Sequence, residues 1–195
     1  MAHNLAATLI AGRGVVLEGT TATAAPPTFA QIQAYIAANA DATSLPTGFT
    51  PLSEMDPDDL PQMETEGGAS TVKRTWRVEK ARETVTPAVR SFVTKPLQFD
   101  NDVMSRYEGG GTFTSPNLFV APTVSTPHES PLLVIYLDGA NPVAEYFGRV
   151  STRGGGSIEH NIDDWSKIPL RHTVLTPTNS NPEHAWIGEH FGTPA

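Results

Sequence analysis

Cysteine is absent from the 195 residues, which excludes disulfides, thiolate nucleophiles and Cys-ligated zinc or iron–sulfur centres. Noncovalent contacts must hold the fold. Also missing is any apolar run near the ~20 residues that a membrane helix requires. The opening MAHNLAATLIAGRG has no basic start and breaks its apolar run at Gly12-Arg13-Gly14. Neither a secretory signal nor an anchor is expected there, and a soluble chain made in the cytosol is. Bases are scarce, with 13 Lys+Arg against 21 Asp+Glu and a net charge of −8. Charged residues make up 17% against 38% hydrophobic, too apolar a balance for a wholly disordered chain. Glycine (16) and proline (17) are abundant, which favours many turns and few long helices. At this length a single domain is expected, large enough to fold unaided.

Signatures of local chemistry are missing as well. The P-loop, the Rossmann glycine pattern, G-x-S-x-G and H-E-x-x-H are not found, so a phosphate cradle, a nucleophile elbow or a helical zinc site would have to be assembled without a motif. The six histidines do not supply one. Glu183-His184 and Glu189-His190 stand six residues apart in a glycine-containing tail, not at the i, i+4 spacing that aims two imidazoles at one ion. The acids around Asp58 and Asp59 lack the ligand spacing and glycine of a calcium loop. No cofactor and no metal are expected.

The charge is unevenly placed. Residues 1–69 hold eight acids and one base, Arg13, whereas residues 70–99 carry Lys73, Arg74, Arg77, Lys80, Arg82, Arg90 and Lys95 against only Glu79 and Glu83. A basic block in an acidic chain fits either nucleic acid or an acidic surface on a neighbouring copy. Its bases fall on both parities of the strands that contain them, and Trp76 falls among apolar positions as a core residue. Tight DNA binding is therefore not expected.

Periodicity predicts mostly strands. Residues 8–19 read as a strand with a glycine bend near Gly12 or Gly14. Thr28 to Asn39 reads as a helix, with Thr28 and Gln31 at capping-box spacing and Phe29, Ile32, Tyr35 and Ile36 on one face. Residues 40–69 read as a long irregular loop with an exposed acidic run, Asp56 to Pro61. In residues 70–95 one parity holds Thr71, Lys73, Thr75, Arg77 and Glu79 and the other Val72, Trp76 and Val78. On the return, Val85, Pro87, Val89 and Val93 oppose Thr84, Thr86, Arg90 and Thr94. This predicts a long antiparallel hairpin turning near 80–83, hydrophilic in front and apolar behind, with an edge or bulge at Pro87. A short helix is expected over Asp100–Tyr107 before Gly109-Gly110-Gly111, and strands at 112–121, 132–137, 143–152 and 169–176. A hairpin turn is expected at Asp138–Pro142. The tail NPEHAWIGEHFGTPA carries apolar anchors on a backbone unsuited to helix, a pattern that suggests docking on a surface.

The stretch GGASTVKRTWRVEKARETVTPAVRSFVTKPLQFDNDVMSRY resembles the major tail proteins of long-tailed actinobacterial phages, which form the tail tube. PLLVIYLDGANPVAEYFGRV and LRHTVLTP are similar to that family too, so the likeness covers most of residues 50–176. The resemblance implies a mainly β fold, an antiparallel β-sandwich or partial barrel with one flanking α-helix and a long β-hairpin, over one domain of residues 1–195. It implies homohexameric rings stacked into a hollow tube in the virion tail, assembled in the host cytoplasm. The partners it implies are further copies of the chain, a tape measure protein, and terminator or tip proteins, with DNA passing non-specifically. No membrane and no enzymatic activity are expected.

On that footing the hydrophilic face of the hairpin, Thr71, Lys73, Thr75, Arg77, Glu79, Thr84, Thr86 and Arg90, is expected to line the lumen. Contacts between subunits are expected from loop 40–69 and segment 177–195, through Leu60, Met63, Trp186, Ile187 and Phe191. The alternatives are a receptor- or carbohydrate-binding β-sandwich module, a tail-tip relative of the tube protein, and an enzyme with a dispersed site. Trp76 and Trp165, in or near predicted strands, do not resemble the exposed loop aromatics of a binding module.

Overall fold

Strong β-formers dominate residues 132–152, and there the strands are longest. The computed structural model describes residues 11–38, 44–115, 117–139 and 141–191. Expectations for residues 8–10 and Asn39, and part of those for the 40–69 loop and the closing residues, lie outside that range. The strands are β1 (Arg13–Gly19), β2 (Phe49–Pro51), β3 (Glu64–Gly67), β4 (Ser70–Lys73), β5 (Arg82–Val85), β6 (Ala88–Thr94), β7 (Thr112–Ser115), β8 (Leu118–Val120), β9 (His128–Asp138), β10 (Asn141–Gly154), β11 (Leu170–Val174) and β12 (His184–Ile187). The helices are α1 (Phe29–Ala37) and α2 (Asn101–Glu108). The fold is mainly β and antiparallel throughout, with open edges.

Eight strands form one sheet in the order β2-β1-β9-β10-β11-β6-β3, with β12 also paired to β10. β10 is long enough to hold two partners on one side, β12 along Ala144–Phe147 and β11 along Val150–Gly154. Between them the register with β9 slips at Phe147/Val150, the kind of irregularity that bends a sheet. The bend wraps both halves around one core of Val16, Leu132, Phe147, Val150, Phe92, Leu170 and their neighbours, where the Phe92 and Phe147 rings lie 5.0 Å apart. Helix α2 closes this core with Val103. Helix α1 covers the opposite face of β1, β9 and β10, where Leu17, Leu133, Ile135 and Tyr146 meet Ile32 and Tyr35. Both faces of β9 are therefore buried, which is why LLVIYL is continuously apolar.

The helix ends follow from their caps. Thr28 accepts from the Gln31 N–H while Gln31 accepts from the Thr28 N–H, a complete capping box. Asp100 caps α2 through the Val103 N–H at 2.8 Å, and Gly109 ends it at φ 74°, a conformation that favours glycine. The β9–β10 connection turns at Gly139, φ 60°. One expected strand is divided: residues 112–121 form the hairpin β7–β8, reversing at Asn117, φ 69°.

The acidic run expected to be solvated is tied down. Asp56 is buried and, with Asp59, receives Lys167 Nζ at 2.7 Å from each, while Lys95 sits 3.4 Å from Asp59. Hydrogen bonds from Lys167 hold both carboxyls below the usual aspartate range. The tail likewise docks on its own sheet, as β12.

Candidate functional site

The hairpin of residues 64–91 follows one register across two sheets. Glu64↔Ser91, Gly67↔Ala88, Ser70↔Val85 and Lys73↔Arg82 all obey it, and the Thr86 N–H donates to the Ala69 carbonyl in the same frame. The ladder is interrupted only between Gly67↔Ala88 and Ser70↔Val85, at Gly68-Ala69 and Thr86-Pro87. Gly67 and Gly68 have positive φ, 89° and 69°, and Pro87 has no N–H to give, so the outer half continues as a separate two-stranded sheet. The bulge or edge expected at Pro87 is present in this form.

The tip lies elsewhere than expected. Thr75 and Val78 exchange backbone hydrogen bonds at 2.8 and 3.3 Å, which makes Trp76-Arg77 the turn in place of residues 80–83. Trp76 is fully exposed at 106% and is not a core residue. Trp165 is also exposed, at 66%, in the loop before β11. Residues 69–90 are exposed throughout, including Val72, Val78, Val85 and Val89. The expected apolar backing therefore exists as a row of valines, but nothing among the described residues covers it.

Pairing brings five of the expected lumen residues to one side: Thr71 opposite Thr84, Lys73 opposite Arg82, then Thr86 and Arg90. Arg82 joins them as the partner of Lys73. Thr75, Arg77 and Glu79 are in the tip region. The other side carries Glu64, Glu66, Ser70, Val72, Glu83, Val85 and Val89, and Ser70 donates its hydroxyl to Glu83. Over the paired residues the two sides differ in chemistry: cations and threonines on one, carboxylates, valines and Ser70 on the other, with the exposed Arg74 just past the last pair on the parity of Val72.

At its root the hairpin is held by polar contacts that sequence reading missed. Arg90 Nη1 lies 3.3 Å from His184 Nδ1, and His184 Nε2 lies 3.2 Å from Glu145 Oε2. An arginine can only donate, so Nδ1 accepts and Nε2–H donates to Glu145. Burial pushes the Glu145 carboxyl up, opposed by the bonds from His184 and Tyr136. The relay links β6, β12 and β10, and the His184 ring stacks on Phe147 at 4.9 Å. On the opposite side Arg171 reaches Ser91 at 2.9 Å and Glu66 at 3.4 Å. No spacing rule finds these partners, because they are distant in the chain.

The expected contact residues differ in what they expose. Met63, Trp186 and Phe191 are exposed, the last two with ring centroids 6.2 Å apart. Leu60 is partly buried, and Ile187 packs against the α1-side core.

Of the two hairpin glycines, Gly67 is the less tolerant of change. A Cβ there would meet the Pro87 carbonyl oxygen at 2.7 Å, on a backbone whose φ already costs an L-residue about 1–2 kcal/mol. Gly67→Ala should loosen residues 69–86 without unfolding the body. The expected result is faster amide exchange at Ser70–Lys73 and Arg82–Val85 with an unchanged melting temperature; unchanged exchange would refute it.

An open-edged antiparallel sheet carrying a two-sided hairpin, exposed throughout residues 69–90, defines a mainly β protein with an uncovered ribbon. Comparison with known proteins says which. The chain belongs to the phage tail tube protein family, whose description it matches over residues 1–195. It is similar to the major tail protein Gp23 of Mycobacterium phage L5, 33% identical over 190 residues that cover 97% of this chain and 94% of the relative. The Gp23 of Mycobacterium phage D29 is 32% identical over the same shares. The protein is a structural component of a phage tail, and the family is not an enzyme family. No helix among the described residues is long and apolar enough to cross a membrane.

Proposed function

We propose that six copies of this chain close into a ring and that rings stack into the tube through which DNA leaves the virion. The observation that carries this reading is the 64–91 hairpin: one register, both faces wetted over residues 69–90, and both outer edges of β4–β5 unpaired among the described residues. Free edges invite strand pairing, and pairing hairpin to hairpin around a ring closes them into a barrel. Six subunits also bring six times the −8 charge, which opposes retention of a polyanion. A tape measure protein inside the tube and terminator or tip proteins at its ends complete the partner set, with assembly in the host cytoplasm.

Stacking requires a heterologous contact that repeats along the axis. Loop 40–69 and segment 177–195 supply it in this reading, with Met63, Trp186 and Phe191 as the side chains that have surface to offer. Leu60 and Ile187 act by fixing those segments to the body. Negative-stain microscopy of the purified chain should show hollow tubes with six-fold end views. A monomer at every concentration, or rings of another number, would sink the proposal.

A further inference from the structure

The body of the subunit shows which side of the hairpin is the inside of the sheet. Over β6 and β11 the concave face carries Phe92, Thr94, Leu170 and His172, all buried. The convex face is covered by α1 at β1, β9 and β10. At the far end of β10 and at β11, β6 and β3 it bears Arg153, Arg171, Thr173, Val93, Glu64 and Glu66, all partly or fully exposed, and Ser91, which is buried and bonded to Arg171, with no second layer above them among the described residues. Arg90 belongs to the concave side, turned toward His184 above Phe147. Because one register runs from Glu64↔Ser91 to Lys73↔Arg82, the pleat extends each face outward along the hairpin.

We propose that the carboxylate–valine side of the hairpin faces the bore of the tube, and that the side of Lys73, Arg82, Thr71, Thr84 and Thr86 is an interface that takes a second copy of this chain. This rests on the tube reading above and reverses the face expected to be wetted. The uncovered convex face continues into the carboxylate–valine side, whereas the other side continues a face that the body already buries. The chemistry agrees. Lysine, arginine and threonine all present donors, and a ring of such residues with no acid opposite would grip phosphates through counterion release. Valine offers DNA nothing to bond, and carboxylates only accept. The Ser70 hydroxyl is spent on Glu83, and Arg171 is held by Glu66 and Ser91. Conversely, Lys73 and Arg82, which have no acid beside them among the described residues, need acceptors, which a neighbour of net charge −8 has in excess.

The absence of native cysteine makes every introduced thiol the sole reactive one. Ser70→Cys and Thr71→Cys sit at adjacent residues on opposite sides, so they differ in face and not in depth. Val72→Cys and Thr84→Cys form a second such pair should one of the first fail to assemble. In free subunits all four should react with a small water-soluble maleimide at similar rates. In assembled tubes the Ser70 and Val72 variants should keep their rates, while the Thr71 and Thr84 variants slow by about tenfold or more as exposure is lost. Protection of Ser70 and Val72 instead, or equal rates on both sides, overturns the assignment while leaving the tube itself standing. If the unmodified chain forms no tubes, the underlying reading has failed on its own.

Discussion

Replacing residues 68–87 by Asn-Gly should give a folded subunit that melts within a few degrees of the parent and forms no tubes at all. The two-residue loop joins Gly67 to Ala88, which are already paired, through the turn that hairpins favour. Stability should survive because none of the removed residues belongs to either core. A buried leucine or phenylalanine contributes about 1.5–3 kcal/mol, and residues 69–87 bury none. A two-stranded ribbon is marginal in water by itself, so the segment is carried by the body and gives little back to it. Tube formation should fail because the unpaired edges of β4 and β5 and both chemical faces are lost together. Circular dichroism melting and negative-stain microscopy on one preparation read both halves of the expectation. Tubes from the shortened chain would remove the hairpin from the wall, and an unfolded product would show that it contributes to the body.

The difference between what could be read from the sequence and what could not lies in the range of the interactions. Thr28 and Gln31, or Asp100 and Gly109, settle their helix ends with partners a few residues away, so local pattern suffices. The alternation in residues 70–95 likewise revealed two sides, because a pleat is a local property. Its turn was misplaced because Trp76 reads as a core residue, and sequence does not distinguish an apolar side chain buried in its own subunit from one reserved for another. The acidic run read as solvated because its partner Lys167 lies 108 residues beyond Asp59. The buried polar groups were least legible. Glu18 lies within RGVVLEG as an ordinary strand residue, and its ligands Arg106 and Ser130 are 88 and 112 residues away.

Glu18 is also where a single substitution should cost most. Its carboxylate accepts from Arg106 Nε at 2.8 Å, from the same guanidinium through Nη2, and from Ser130 Oγ at 2.6 Å, with His128 Nε2 at 2.7 Å. The pair ties α2 to β1 in the core interior, and Arg106 is itself largely buried. Glu18→Ala removes the buried carboxylate and leaves that guanidinium only its Nη1 contacts to Asp102, a loss of about 3–5 kcal/mol. It should be read as a lower urea midpoint at unchanged slope; a shift worth less than about 1 kcal/mol would contradict the role given to the pair.

The same site sets the response to acid. Burial alone raises the Glu18 pKa, but the bonds from His128, Arg106 and Ser130 outweigh it and hold the carboxyl at about 2. That lies below the ~4.3 of an unfolded glutamate, so this stabilisation is complete above the unfolded value and is lost as pH falls toward 2. His172 acts in the same direction by another route. Burial lowers its pKa to about 3, between Thr94 Oγ1 at 2.7 Å and Thr152 Oγ1 at 2.9 Å. Unfolded histidine gains its proton near ~6.5, so acid favours the unfolded chain from that pH down to about 3. Stability should therefore decline in two stages, from about pH 6.5 through His172 and more steeply below about 4.5 as Glu18 adds to it. His172→Gln, whose amide can still donate and accept, should flatten the first stage and leave the second. A profile level from about pH 6.5 to 4 in the parent chain would mean that His172 is not held neutral by burial.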